Sequence, residues 1–180
     1  FTLRASANVE LSAERVEQGG IVCVAITGMV GETAPTVETD LGSVQCTRSP
    51  SGWRAYIPAA YNASAGAHDV TLTVNGEVLT KTLTVLPKDF GTAEVEAEPA
   101  PTEAANTEFR NSIWPLYEQP AQEKLWSGGF VCPAEDYLVL LDFGQIKITN
   151  GQQGSKSNST KLYTIPGDPA RAPANGTVAF

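Results

Sequence analysis

Short apolar runs separated by turn residues fill the first half of the chain. Segments of four to eight residues rich in Val, Ile, Thr and aromatics recur near Val9–Ser12, Ile21–Thr27, Thr36–Thr39, Ser43–Thr47, Trp53–Ile57, Asp69–Val74 and Val78–Val85. Gly19-Gly20, Gly31, Gly42, Ser49–Gly52 and Asn62–Gly66 punctuate them. The sharpest local signal is Asn75-Gly76, because a type I′ turn needs positive φ at both central residues. That turn sets Leu72 opposite Leu79 and Thr71 opposite Thr80. Leu72, Leu79, Leu83 and Val85 then share one face, and Thr71, Thr73, Thr80, Thr82 and Thr84 take the other. About seven short strands in such a span predict an immunoglobulin-like β-sandwich over residues 1–88.

The pattern then changes. Residues 89–124 read as a linker, and Thr92 to Thr107 is rich in Ala, Glu, Pro and Thr, a composition that stays extended or mobile. Phe109, Ile113 and Leu116 recur at helical spacing, which predicts a short amphipathic helix over Glu103–Trp114, limited by Pro115. Trp114 and Tyr117 are expected to pack that helix onto a neighbouring domain. From Leu125 the pattern is β again. Tyr137–Leu141 is a continuous apolar run, Gln145–Thr149 alternates, and Asn150-Gly151 is a second hairpin signal. Ser155–Thr160 reads as an exposed polar loop, Lys161–Ile165 as a short strand, Pro166–Pro169 as a turn and Gly176–Phe180 as the start of another strand.

Composition narrows the function classes. The 180 residues carry 20 acidic and 12 basic side chains, a formal net charge of −8, with no basic cluster. Nucleic-acid binding is not expected, since phosphate neutralisation needs clustered Lys and Arg. No apolar run is long enough to span a membrane. The chain opens on Phe1, which leaves room for a leader or anchor upstream. Cys23, Cys46 and Cys132 form no C-x-x-C pair, so a Cys/His zinc site has no support. Cys23 and Cys46 are either bridged or two buried thiols. The single histidine, His68, reads as a strand-edge partner of Asp69 rather than a catalytic group. Glu135, Asp136 and Asp142 could form an acid pair for sugar hydrolysis, but acids beside a turn are more often solvated.

Four stretches together carry a family resemblance. They are Leu86–Phe90 (LPKDF), Leu125–Pro133 (LWSGGFVCP), Phe143-Gly144 followed by Asn150-Gly151, and Pro169–Val178 (PARAPANGTV). In this order and spacing the chain resembles the M23 (LytM-type) metallopeptidases. The resemblance implies a cell-envelope protein with a partial LytM-like β domain over residues 125–180. Active members hold zinc with a His and an Asp four residues apart, placed after the Asn-Gly turn, and with a later His-x-His strand. Three protein ligands leave a fourth position for a water that Zn²⁺ acidifies, and the hydroxide cuts peptidoglycan crosslinks.

Here the ligand window falls on Ser157, Asn158 and Lys161, and no His-x-His exists. Hydroxyl and amide groups are poor zinc ligands and an ammonium repels the cation. The expectation is therefore a degenerate site with no metal and no catalytic residues. Phe143, Asn150, Arg171 and Asn175 are the candidate groove or binding residues. The expected partner is peptidoglycan or an envelope protein, in an extracytoplasmic setting. The alternatives are a fragment of an active zinc endopeptidase, or a surface module acting through the sandwich. A sheet that stops at Phe180 leaves an edge for further chain, or for a second chain, to complete.

Overall fold

The computed structural model describes residues 7–97, 99–119 and 125–179. The fold is mainly β with one short helical stretch, and it divides into two compact units on either side of Asp89 and Phe90.

The first unit is a sandwich of two four-stranded sheets. One sheet has the order β1 (Asn8–Leu11), β3 (Ile21–Thr27), β6 (Gly52–Pro58), β5 (Thr47–Ser49). The other has the order β2 (Arg15–Glu17), β8 (Glu77–Leu86), β7 (Gly66–Val74), β4 (Thr36–Glu38). Period-2 alternation places Val22, Val24 and Ile26 of β3 opposite Ile57, Ala55 and Trp53 of β6 on one inner face. Val70, Leu72 and Val74 of β7, with Leu83 of β8, form the other, and the two sets bury one another in a single core with Val9 and Val37. The hairpin register is the expected one: Leu72 pairs Leu79, Thr71 pairs Thr80, and Asn75 and Gly76 have φ of 52° and 81°.

Three details of this unit depart from the sequence reading. The strand expected over Ser43–Thr47 lies instead at Thr47–Ser49. The two-residue loop Pro50-Ser51 sets Ser49 opposite Gly52 and so slides the pairing toward the turn, while Val44 and Cys46 reach the core from irregular chain. Gly52 has φ +140°, and a Cβ there would collide with the carbonyl oxygen of Ile26, so the turn requires glycine. Strand β2 was not foreseen. It has one apolar residue, Val16, and exists by parallel pairing with residues 84–86 of β8. Leu79 shares the inner face with Leu72 yet is exposed, because it lies in the half of β8 that β2 does not reach. Lys81 occupies the inward position between Leu79 and Leu83, a charge that blunts this open edge.

His68 is not paired with Asp69. It sits at an inward position of β7, where its Nδ1 meets the Asp40 carboxylate at 2.9 Å and its Nε2 meets the Ser64 carbonyl at 2.8 Å. Alternation turns Asp69 to the opposite face. Cys23, Cys46 and Cys132 are half-buried free thiols, and burial pushes the Cys46 thiol upward. Cys23 stands opposite Tyr56 on β6.

The second unit is built from small pieces. Strand β9 (Thr92–Glu94) pairs in parallel with β11 (Ile146–Thr149), which forms an antiparallel hairpin with β12 (Gln152–Lys156). Strand β10 (Leu138–Leu141) pairs with β13 (Lys161–Tyr163) in a separate two-stranded sheet. The start of the expected linker is thus a strand, because Gly91 and Val95 bond to the backbone of Ile146 and Ile148.

The helical stretch runs farther than Trp114. It comprises α1 (Glu103–Glu108), a π-helical turn (Phe109–Ile113) and α2 (Trp114–Tyr117). Thr102 caps its start by accepting from the Ala105 N–H. The π turn explains how Pro115 is tolerated. The Trp114 N–H reaches back five residues to Phe109, and the wider turn relieves the clash of the proline ring with the carbonyl one α-turn earlier. No residue of these three segments is buried, and Trp114 and Tyr117 are exposed and meet edge-on at 6.2 Å. Residues 176–179 are irregular rather than a strand, and Phe180 and residues 120–124 of the expected linker lie outside the described residues.

Candidate functional site

Parts of the stretches that carry the resemblance form two local sets within the second unit, while Asn150-Gly151 stands apart in the β11–β12 hairpin. The first is built on the turn Asp142–Gln145. The Asp142 N–H donates to Gln145 Oε1 at 2.7 Å, and Asp142 Oδ1 accepts from the Phe143 N–H at 2.9 Å. This tight turn puts Gly144 at φ +84°, and the Phe90 ring occupies the space where a Gly144 Cβ would lie. Phe90 also meets Phe143 edge-on at 6.1 Å and lies 5.2 Å from the Lys156 ammonium. The end of Leu86–Phe90 is therefore seated on Phe143-Gly144.

The second set joins Leu125–Pro133 to Pro169–Val178. The Val131 N–H donates to the Pro173 carbonyl and the Arg171 N–H to the Pro133 carbonyl, both at 2.9 Å. The Arg171 guanidinium bonds the Cys132 carbonyl through Nε at 3.0 Å and Glu135 Oε1 through Nη1 at 3.1 Å. The hydrogen bond between Cys132 and Tyr137 raises the Tyr137 phenol above its ordinary range. Trp126 and Phe130 stack with centroids 5.5 Å apart.

The ligand window lies beside the first set, and the exposed loop that the polar sequence suggested over Ser155–Thr160 is confined to Asn158–Thr160. Strand β12 continues to Lys156, and Ser157 is only 1% exposed. Its backbone spans the turn: the Gly144 N–H donates to Ser157 O, and the Ser157 N–H donates to Gln145 O, both at 2.8 Å. Its hydroxyl donates to the Ser159 carbonyl at 2.7 Å and accepts from the Ser159 N–H at 3.4 Å. A short hydroxyl side chain closes this turn on itself, which is why a polar residue is buried here. Asn158 is exposed, and Lys161 opens β13 opposite Leu141.

These donors do not fit the zinc that the resemblance implies. One is a hydroxyl already engaged with backbone, one an amide and one an ammonium. Among the described residues no group of three His, Cys, Asp or Glu gathers that could hold a metal ion. The acids are engaged separately as well. Asp142 accepts from Phe143 and from the Thr160 hydroxyl at 2.9 Å, and Glu135 holds Arg171.

The candidate binding residues fall into different local structures. Phe143 belongs to the Phe90 anchor, Arg171 to the Cys132–Glu135 clamp, and Asn150 to the β11–β12 hairpin with φ 51°, beside Gly151 at 72°. Asn175 is exposed. A further feature was not recognised as a surface in the sequence. The unbroken apolar run of β10 is the signature of a strand covered on both faces, yet Leu138, Val139 and Leu140 are 65%, 51% and 48% exposed, and only Leu141 is buried. The run is bracketed by Asp136 and Asp142.

No protein-family model matches the sequence, and no characterised protein matches it. Among solved structures the chain is similar to the adhesin InvE of Yersinia pseudotuberculosis, with 18% identity and a TM-score of 0.36. The match covers 45% of this chain and 26% of the adhesin. No helix among the described residues is long and apolar enough to cross a membrane.

Proposed function

We propose that this chain is a non-catalytic, M23-like protein of the bacterial cell envelope that binds peptidoglycan or an envelope partner. The observation that carries this reading is the contrast inside the second unit. The segments of the resemblance contact one another, Phe90 on Gly144 and Arg171 on Cys132 and Pro133. The window beside Gly144 holds a closed serine turn and a lysine instead of ligands. Local contacts kept beside a window without zinc donors suit recognition better than hydrolysis, because a catalytic zinc is usually held by three His, Cys or carboxylate ligands that leave a position for water. The extracytoplasmic location belongs to the same reading.

The test is co-sedimentation of the purified protein with sacculi, followed by digestion assays with and without added zinc and by metal titration. Retained binding, no release of muropeptides and no stoichiometric zinc is the expected result. One tightly held zinc per chain, with digestion that a chelator abolishes, overturns the reading in favour of an envelope peptidase. No binding to sacculi and no metal overturns the peptidoglycan arm and directs the search to a protein partner.

A further inference from the structure

We propose that His68, Asp40 and the Ser64 carbonyl form a proton-dependent latch in the sandwich. When closed, it ties the segment after β4 and the end of the β6–β7 connection to strand β7. This inference concerns the first unit alone and stands apart from the function proposed above.

The geometry states the condition. Both ring nitrogens of His68 face acceptors: Nδ1 lies 2.9 and 3.0 Å from the two Asp40 oxygens, and Nε2 lies 2.8 Å from the Ser64 carbonyl oxygen. A carboxylate and a carbonyl can only accept. Both bonds exist together only in the imidazolium, where both nitrogens donate. A neutral ring keeps one proton, so one of its nitrogens turns a lone pair toward an oxygen lone pair and that bond is lost. His68 is 7% exposed, so water replaces the lost bond poorly, whereas the Asp40 side chain is 70% exposed and lets protons exchange.

Among the described residues, the charge that acts on the ring is that of Asp40. From the segment after β4 the ring meets Asp40, from the β6–β7 connection the Ser64 carbonyl, and across the strand pair Leu83 of β8. Asp69 lies on the other face of β7, and Lys81 stands opposite Val70 rather than His68. The bond to Ser64, then the bond to Asp40 and its charge, hold the imidazole above its ordinary value of about 6.5, against the opposing effect of burial. The connection is tied independently at Ala59, through Gly19 and Gly20, and at Ala63, through Gln18. Release at Ser64 therefore loosens its end without unfolding the sandwich.

The sign follows from linkage. A histidine whose folded value is raised contributes stability that is complete below about pH 6.5 and is lost as pH rises through the folded value. The latch is closed in acid and opens in base.

His68 is the only histidine of the chain, so its ring resonances identify themselves in the full-length protein. An NMR titration is expected to place its midpoint above 6.5, with Asp40→Asn lowering it while the fold is kept, since Asp40 is exposed. Amide protection at Ala63, whose N–H bonds the Ala60 carbonyl, and at Leu41, whose N–H bonds Thr39 Oγ1, is expected, once corrected for intrinsic exchange, to fall as pH passes that midpoint. The limit is about tenfold for each unit by which the midpoint exceeds 6.5. His68→Gln, which cannot titrate, should abolish the pH dependence. A midpoint at or below 6.5, an unchanged midpoint in Asp40→Asn, or protection at these amides that ignores pH overturns the latch.

Discussion

The two units use apolar residues in opposite ways. In the sandwich, alternating strands bring Val22, Val24, Ile26, Ala55, Ile57, Val70, Leu72 and Leu83 to complete burial. In the second unit, the buried apolar side chains among the described residues are Ala134 and Leu141, while Leu138, Val139, Leu140, Phe130 and Tyr163 are exposed. A sheet buries its inner face only against a second layer. The sandwich has two four-stranded layers, whereas the second unit has sheets of two and three strands. Small sheets gain little from burial, so this unit relies on single contacts: a ring on a glycine, a guanidinium on a carbonyl, a serine closed on its own turn.

That contrast can be broken by substitution. Leu72→Ala, in the centre of the sandwich, is expected to cost about 2–5 kcal/mol. Urea unfolding followed by Trp53, the only tryptophan of residues 1–89, measures it. A loss below 1 kcal/mol would mean that the core is looser than its burial implies. Next in size is Gly144→Ala, set against Gly167→Ala. Both glycines have positive φ, +84° and +100°, and so share a backbone penalty of about 1–2 kcal/mol. Only at Gly144 does the new methyl also displace Phe90. The melting temperature of the second unit should fall further for Gly144→Ala, and equal falls would show that the Phe90 contact adds nothing.

Arg171→Ala removes two exposed charge-assisted bonds and is expected to cost about 1 kcal/mol or less. Faster amide exchange at Val131 would be its local sign. The smallest effect falls on β10. Leu138→Thr is expected to change stability by less than about 0.5 kcal/mol, while lowering the binding of a hydrophobic dye. A loss as large as that of Leu72→Ala would show that Leu138 is buried in solution and that the two units are alike after all.

What could be read from the chain divides along the same line. Asn75-Gly76 and Asn150-Gly151 named their hairpins and, in the sandwich, the register, because positive φ is a property of the residue itself. The alternation of the β7–β8 hairpin named the face that Leu72, Leu83 and Val85 share for the same reason: the period of a strand is local. The ligand window was legible as chemistry, since Ser157, Asn158 and Lys161 are poor donors wherever they lie.

The remainder was decided in three dimensions. Strand β2 depends on pairing with β8, and β9 on pairing with β11, partners remote in sequence. Neither Arg-Val-Glu nor Thr-Ala-Glu carries a periodic signal of its own. His68 found Asp40, 28 residues away, rather than its neighbour Asp69, because adjacent strand residues face opposite sides. Ser157 is buried because the Gly144 and Gln145 backbone closes over it, a fact its polar neighbours conceal. Local residue types thus set turns, faces and donor chemistry, while long-range hydrogen bonding chose which of those groups met.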